Sequence, residues 1–170
     1  MIYGLGIILV PPWIHQIYNL MKNKEEASVL NDLLHITNDR IEGFGKVEGQ
    51  VWENYPDVKS EYARLNSLSK VMKNELINLI QDDGETPEDS PSVAGALHRT
   101  WIDIKNSFTL GNKEESTIEN VIFGEKAAID AYQNAIDSGK LSQESLDIVS
   151  EHLKHIKDSY HQFENMSRYK

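Results

Sequence analysis

The chain has 170 residues, of which 39% are hydrophobic, so it can bury the core of one soluble domain. Its 27 acidic and 17 basic side chains give a formal charge of -10, which argues against nucleic acid as a partner because phosphate binding needs clustered Lys and Arg. The absence of cysteine excludes disulfides, thiolate catalysis and thiolate metal sites, and we expect a cytoplasmic location.

The first twenty residues are more apolar than the rest and include two consecutive prolines, Pro11 and Pro12, which we expect to interrupt any helix. A signal peptide would start with basic residues and end at a small-residue cleavage site, and neither is present. The apolar run is too short for a membrane span, which needs about twenty unbroken apolar residues. We therefore predict an N-terminal extension at 1–27 that need not belong to the domain, and a helical domain at 28–168. An ordered tail this apolar should pack on the bundle or on a neighbouring chain.

The first predicted helix runs from an N-cap at Ser28 to about Asn54, because Tyr55 precedes a proline and is pushed out of the helical region. Its seam residues recur at alternating steps of four and three, the pattern of a bundle helix: Leu30, Leu34, Thr37, Ile41, Phe44, Glu48 and Val51. The second predicted helix runs from Asp57 to Ile80. A linker this short makes the two helices an antiparallel hairpin.

An acidic loop and a crossover helix are predicted next. The acidic residues between Gln81 and Asp89 do not have the spacing of an EF-hand, so we interpret this segment as a solvated loop. A Ser-Pro-Ser start signal opens the stretch 90–108, which would form a helix about 28 Å long. Its apolar residues fall on one side: Val93, Leu97, Trp101, Ile104 and Phe108.

Two more helices are predicted to form a second antiparallel hairpin. The first of them begins at a capping box in 112–115 and ends near Ser138, before Gly139, and Ser142 caps the second. The two seams read Ile118, Ile122, Glu125, Ile129, Tyr132 and Ile136, and then Leu146, Val149, Leu153, Ile156, Tyr160 and Phe163. No segment alternates as a strand would, so the sequence predicts an all-α fold.

Glu125 lies in the middle of an otherwise apolar stripe. A carboxylate there meets a large desolvation cost unless it is protonated, paired or bound to a cation. Tyr132 lies two turns later on the same face, and Thr37 and Phe44 repeat this spacing on the first helix. Two such hairpins joined by a long crossover are typical of a ferritin-like carboxylate bundle.

Three stretches carry a resemblance to a known family: Leu30–Phe44, Leu97–Lys105 and Gly124–Tyr132. The run Leu-His-Arg-Thr-Trp-Ile-Asp-Ile-Lys in the second stretch is the most distinctive. Together they resemble the bacterial four-helix-bundle family of unknown function within the ferritin-like superfamily, over about residues 28–166. The resemblance implies a ferritin-like four-helix bundle with an additional crossover helix, self-association as a homo-oligomer with a dimer favoured, and a metal-related or stress-related role.

The di-iron members of that superfamily use a glutamate from each of two helices and a Glu-x-x-His pair from each of the other two. Here Glu125 matches one ligand, Thr37 stands where its counterpart would be, and the second helix contains no histidine. The last helix offers only His155 and Asp158, in reversed order. The resemblance therefore implies at most a reduced iron or manganese site, made of Glu125 with His155 or Asp158.

Two functions stay open at this point. The first is a non-enzymatic bundle that acts through self-association or partner binding, with a degenerate interior site. The second is an iron- or manganese-binding carboxylate protein with a storage or ferroxidase-like role centred on Glu125. Glu125 can also be satisfied by Tyr132, a histidine or water, with no metal involved.

Overall fold

A computed structural model describes residues 11–54, 59–88 and 117–168 of the chain. These residues form four helices: α1 (Pro12–Asn54), α2 (Lys59–Asp82), α3 (Thr117–Asp137) and α4 (Gln143–Arg168). No strand occurs within these ranges, which confirms the all-α prediction for them. The predicted crossover helix at 90–108 lies outside the described residues.

The predicted start of the first helix at Ser28 is wrong, since α1 begins at Pro12. A proline at the first helical position has a suitable φ, and it lacks only an N–H that would be unpaired there. The N–H of Ile14 already donates to the carbonyl of Pro11 at 3.0 Å. The two prolines therefore start a helix instead of stopping one. α1 becomes buried at Glu26, next to the predicted domain boundary at residue 28.

The other described helix ends lie close to their predicted positions. α2 ends at Asp82, and the N–H groups of Gly84 and Glu85 donate to Gln81 and Ile80 in a left-handed C-cap with Gly84 at φ 79°. At the start of α4 the N–H of Ser145 donates to Oγ of Ser142 at 3.3 Å, so the predicted N-cap is confirmed.

The four helices pack as a bundle in which each one contacts two neighbours. α1 packs on α2 and α3, and α4 packs on α3 and α2. Asn23 of α1 contacts the end of α2 whereas Arg40 contacts its middle, so the two helices are antiparallel. Arg40 also contacts the first half of α3, and Glu26 contacts the turn that follows it. The chain thus leaves α2 at one end of the bundle and enters α3 at the other.

Among the side chains whose burial is described, the predicted seam residues are buried or partly buried, and additional apolar residues of α1 and α3 complete the core. Ile41, Ile122, Leu146 and Tyr160 are only partly buried. The largest fully buried side chains include Leu30, Leu33, Leu34, Met72, Leu76, Tyr132 and Phe163. The buried face of α3 is rich in alanine: Ala127, Ala128, Ala131 and Ala135. None of the helices in the described ranges is long and apolar enough to cross a lipid bilayer.

Candidate functional site

A layer of polar side chains crosses the apolar interior and joins all four helices. We call it the central polar layer, and it consists of Thr37 and Arg40 of α1, Ser69 and Glu75 of α2, Glu125 and Tyr132 of α3, and His152 of α4. Six of these seven residues are buried, and Glu75 extends to the surface. Buried polar groups are costly unless they are paired, so the partner of each one decides what the layer can do.

Glu125 is paired with an arginine. Its side chain is 2% exposed, as predicted, and that of Arg40 is 5% exposed. Nε of Arg40 donates to Oε1 of Glu125 at 2.6 Å, and Nη2 donates to Oε2 at 2.9 Å. The third nitrogen, Nη1, donates to Oγ of Ser69 at 2.5 Å. The planar guanidinium therefore holds both carboxylate oxygens at once, the strongest geometry available to this pair.

This pairing supplies the positive charge that a metal would otherwise bring. Removing two charges from water costs several kcal/mol per ion, and their attraction offsets that cost only with good geometry and further hydrogen bonds. Both conditions are met, because the contact is two-pronged and Ser69 accepts a third bond from Arg40. Glu125 is thus a buried carboxyl group held by a guanidinium of the same chain.

The predicted seam of the first helix omits Arg40. It steps from Thr37 to Ile41, whereas the structure buries Arg40 and leaves Ile41 only partly covered. A signal was present, since Arg40 lies one turn after Ile36 and two turns after Leu33, both of which are buried. An arginine is rarely buried unless it is paired, so the periodicity favoured a buried Arg40 whereas the residue type favoured an exposed one.

Tyr132 and Thr37 form the second contact of the layer, with their hydroxyl oxygens 2.8 Å apart. The Thr37 hydroxyl donates to the carbonyl of Leu33 at 2.8 Å, so the Tyr132 hydroxyl must donate to Thr37. Burial raises the pKa of Tyr132 to about 12, although the bond to Thr37 and the charge of Arg40 act in the opposite direction. Tyr132 therefore keeps its proton at neutral pH. The Tyr132 hydroxyl is therefore engaged by Thr37, while the carboxylate of Glu125 is engaged separately by Arg40.

His152 closes the layer on α4. Its ring lies 6.0 Å from that of Tyr132, and its Nε2 is 2.8 Å from Oε2 of Glu75. Burial lowers the pKa of His152, and the neighbouring Glu75 carboxylate offsets part of that effect. A neutral ring donates from Nε2 to Glu75, which leaves Nδ1 as a buried acceptor without a partner among the described residues. A histidine in this state is a poor proton donor.

The other two predicted metal ligands lie nearer the surface. The side chain of His155 is 32% exposed and its Nε2 lies 3.5 Å from Oε1 of Glu151, while Asp158 is exposed. In the part of the chain that the structure describes, no three His, Asp or Glu side chains are grouped so that they could hold a metal ion. Joint ligation by Glu125, His155 and Asp158 stays a prediction.

A second polar region lies at the end of the bundle where α2 stops. Glu26 accepts a hydrogen bond from the N–H of Ser142 at 2.9 Å, and Asp83 lies near Glu26, Asp82 and Glu85. Burial is the main cause that raises the pKa of Asp83 to about 6, and repulsion by these three carboxylates adds to it. The region thus contains a carboxyl group that gains its proton in mildly acidic solution.

A polar cavity of about 180 Å³ lies at the same end, between α1 and the residues that follow α2. Its walls include the buried residues Asp32 and His35 together with Glu85 and Glu88. Ligand pockets are mostly apolar with a few polar groups. This lining suits water or a small polar solute better than an apolar ligand.

One family model matches the chain, over residues 25–138, and describes a domain of unknown function (DUF2383). The matched range starts where α1 becomes buried, ends with α3, and includes the distinctive 97–105 run. No curated protein and no solved structure matches the chain. The chain therefore belongs to the DUF2383 family, a domain of unknown function.

Proposed function

We propose that this protein is a non-enzymatic, ferritin-like helical bundle that acts in the cytoplasm through self-association, as a homodimer, or through binding of a partner. In this proposal the interior carboxylate site is degenerate and serves the fold, and the bundle has a stress-related role.

The observation that carries the proposal is the pairing of Glu125 with Arg40. In the di-iron bundles of the ferritin-like class, inward carboxylates are free to bind metal. Here both oxygens of the inward Glu125 accept hydrogen bonds from a guanidinium, at 2.6 and 2.9 Å. A metal at Glu125 would have to displace a buried arginine, which would then lose this carboxylate in a water-poor interior.

The other groups of the central polar layer support the same proposal. Tyr132 is fully buried and keeps its proton, and burial disfavours the charged form of His152. General acid–base catalysis needs a group whose pKa lies near the working pH and which can reach a substrate. Tyr132 and His152 are 0% and 1% exposed, so neither is accessible to a substrate.

The path of the chain supports the ferritin-like part of the proposal. α1 with α2 and α3 with α4 are antiparallel neighbours, and α2 and α3 run in the same direction. A single long crossover between two hairpins is what distinguishes ferritin-like bundles from simple up-down bundles.

Metal analysis of the full chain, purified from cells supplemented with iron and manganese, tests the proposal. We expect less than one tenth of a metal ion per chain, both in the wild type and in Glu125→Ala. Asp130→Ala is the matched control, because Asp130 is an exposed carboxylate on the same helix as Glu125. Stoichiometric iron or manganese that disappears in Glu125→Ala but not in Asp130→Ala would contradict the proposal and favour the metal-binding alternative.

The mass of the protein in solution tests self-association separately. Light scattering after size exclusion should give twice the mass of the 19.4 kDa chain. A monomer at every concentration would remove the homodimer from the proposal and leave partner binding.

A further inference from the structure

The first turns of α1 project beyond the other described helices. All side chains described between Trp13 and Lys22 are exposed, and Asn23, the next residue, has its Nδ2 3.5 Å from the Asp83 carbonyl at the end of α2. At 1.5 Å per residue the projecting part is about 15 Å long. We call the segment from Pro12 to Lys22 the projecting helix.

The projecting helix has one apolar side and one polar side. At 100° per residue its large apolar residues cover an arc of about 160°. They are all solvent-exposed: Trp13 by 59%, Ile14 by 40%, Ile17 by 49%, Tyr18 by 66%, Leu20 by 61% and Met21 by 62%. The polar residues His15, Gln16, Asn19 and Lys22 occupy the remaining arc.

The apolar side is directed away from the bundle. Continuing the same rotation along α1, the buried residues Leu30, Leu34 and Thr37 fall on the arc occupied by His15, Gln16 and Asn19 in the projecting helix. The apolar arc is centred on the opposite side of α1. The other described helices therefore cannot cover these six residues, and something outside them must do so if the residues are to leave water.

The width of the arc and the charge of the segment both indicate what that partner is. The seam of a two-helix coiled coil is narrow, so an arc of this width does not match pairing with a single helix, whereas it suits a membrane interface. Every acidic residue of the chain lies after Lys24, and the segment 1–24 contains Lys22 and Lys24 and no carboxylate.

We propose that the projecting helix docks on an anionic lipid bilayer surface, with its apolar side in the headgroup region and Lys22 and Lys24 near the lipid phosphates. Helices that lie in a membrane interface combine a wide apolar side that carries Trp with lysines beside it. Tyr18 lies at one border of the arc and Trp13 near the other, where amphipathic rings meet the headgroups. The inference does not depend on the proposed function, because it holds whether or not the interior binds metal.

Vesicle flotation of the full chain tests this inference, with phosphatidylcholine vesicles prepared either with phosphatidylglycerol as the minor, anionic component or without it. We expect the wild type to float with the anionic vesicles and Ile17→Ser to bind about tenfold more weakly, since one large apolar side chain leaves the membrane. Val71→Ser is the matched control, because Val71 of α2 is exposed to the same degree, 50% against 49% for Ile17, and should leave binding unchanged.

The lysines are tested in the same assay. The double variant Lys22→Gln/Lys24→Gln should lose about thirtyfold in binding to anionic vesicles, because each lysine near such a surface contributes on the order of 1 kcal/mol. Lys70→Gln/Lys154→Gln, at two exposed positions on α2 and α4, should bind as the wild type does.

Three results would overturn the inference. One is a wild-type chain that floats with neither vesicle, and another is binding that Ile17→Ser leaves unchanged. The third is a wild type that forms a dimer in solution and binds no vesicles, together with an Ile17→Ser variant that is a monomer. That last result would assign the apolar side to a second copy of the chain.

Discussion

Among the acidic side chains that this bundle withdraws from water, Glu125 is fully buried and Asp83 is partly buried, and their surroundings differ. Glu125 lies in the interior between α1 and α3, where Arg40 satisfies both of its oxygens. Asp83 lies at the end of α2, where the neighbouring charges are also negative and its Oδ2 is buried without a partner among the described residues. Burial alone therefore does not tell whether an acid stabilises a fold. The partner that the chain provides decides it.

The largest effect is expected from breaking the interior pair on one side. Glu125→Gln removes the charge that balances the buried guanidinium of Arg40, and should lower the free energy of unfolding by about 3–5 kcal/mol in urea melts. The control is Glu164→Gln, which breaks a partly exposed pair with Arg168 at 3.0 Å and should cost less than about 1 kcal/mol. Equal losses in both variants would show that Glu125 is not a buried ion-paired group.

A smaller effect is expected from the hydroxyl of Tyr132. Tyr132→Phe keeps the ring and removes the donor to Thr37, so the free energy of unfolding should fall by about 1–1.5 kcal/mol. Tyr160→Phe is the control, since Tyr160 is half-buried and lies at the edge of His161. A Tyr132→Phe variant as stable as the wild type would mean that the hydrogen bond between the two hydroxyls is not formed in solution.

Substitution of Asp83 should raise the free energy of unfolding at neutral pH, whereas the two substitutions above lower it. Because its pKa is raised to about 6 in the folded chain, from 3.8 when unfolded, the folded state takes up the proton first as pH falls. The stability linked to Asp83 is therefore complete below about pH 4 and is lost as pH rises through 6. Since Asp83 is only partly buried, solvent screening limits the effect to about 1 kcal/mol.

Asp83→Asn tests this by removing the titration. The variant should be more stable than the wild type at pH 7.5 and equal to it at pH 4. Asp130→Asn, at an exposed position on α3, should change neither value. A variant that is less stable than the wild type at pH 7.5 would contradict the repulsion of Asp83 by its neighbours.

The smallest effect is expected from His152, for which we predict only the direction of the pKa shift. Burial lowers its pKa below 6.5, so the unfolded chain binds the proton first and the stability linked to His152 is lost as pH falls below 6.5. NMR titration should place the pKa of His152 below 6.5. A pKa above 6.5 would mean that Glu75 outweighs burial.

Much of the fold follows from local sequence rules. The seam spacing identifies the described helices. Gly139 and Ser142 mark the turn between α3 and α4, because a residue with positive φ is typical of a helix end and a capping serine is typical of a helix start. The predicted start of α1 is wrong because Pro12 can begin a helix as well as end one, and only the surrounding chain decides between these roles.

Of the two residues in the buried ion pair, only Glu125 could be predicted from the sequence. Glu125 could be placed in the interior from its own helix, because periodicity places a residue on a face. Its partner could not, since Arg40 lies 85 residues away in the sequence and the contact depends on how α1 and α3 are aligned. No local pattern fixes that alignment. The predicted crossover helix at 90–108 lies outside the described residues.

The coupling energy between Arg40 and Glu125 tests the central claim most directly. Unfolding is measured for Arg40→Leu, Glu125→Leu and the double variant. We predict that each single variant loses about 3–5 kcal/mol and that the double variant recovers most of the loss, because the two buried charges are removed together. Losses that simply add in the double variant would show that Arg40 is not the partner of Glu125.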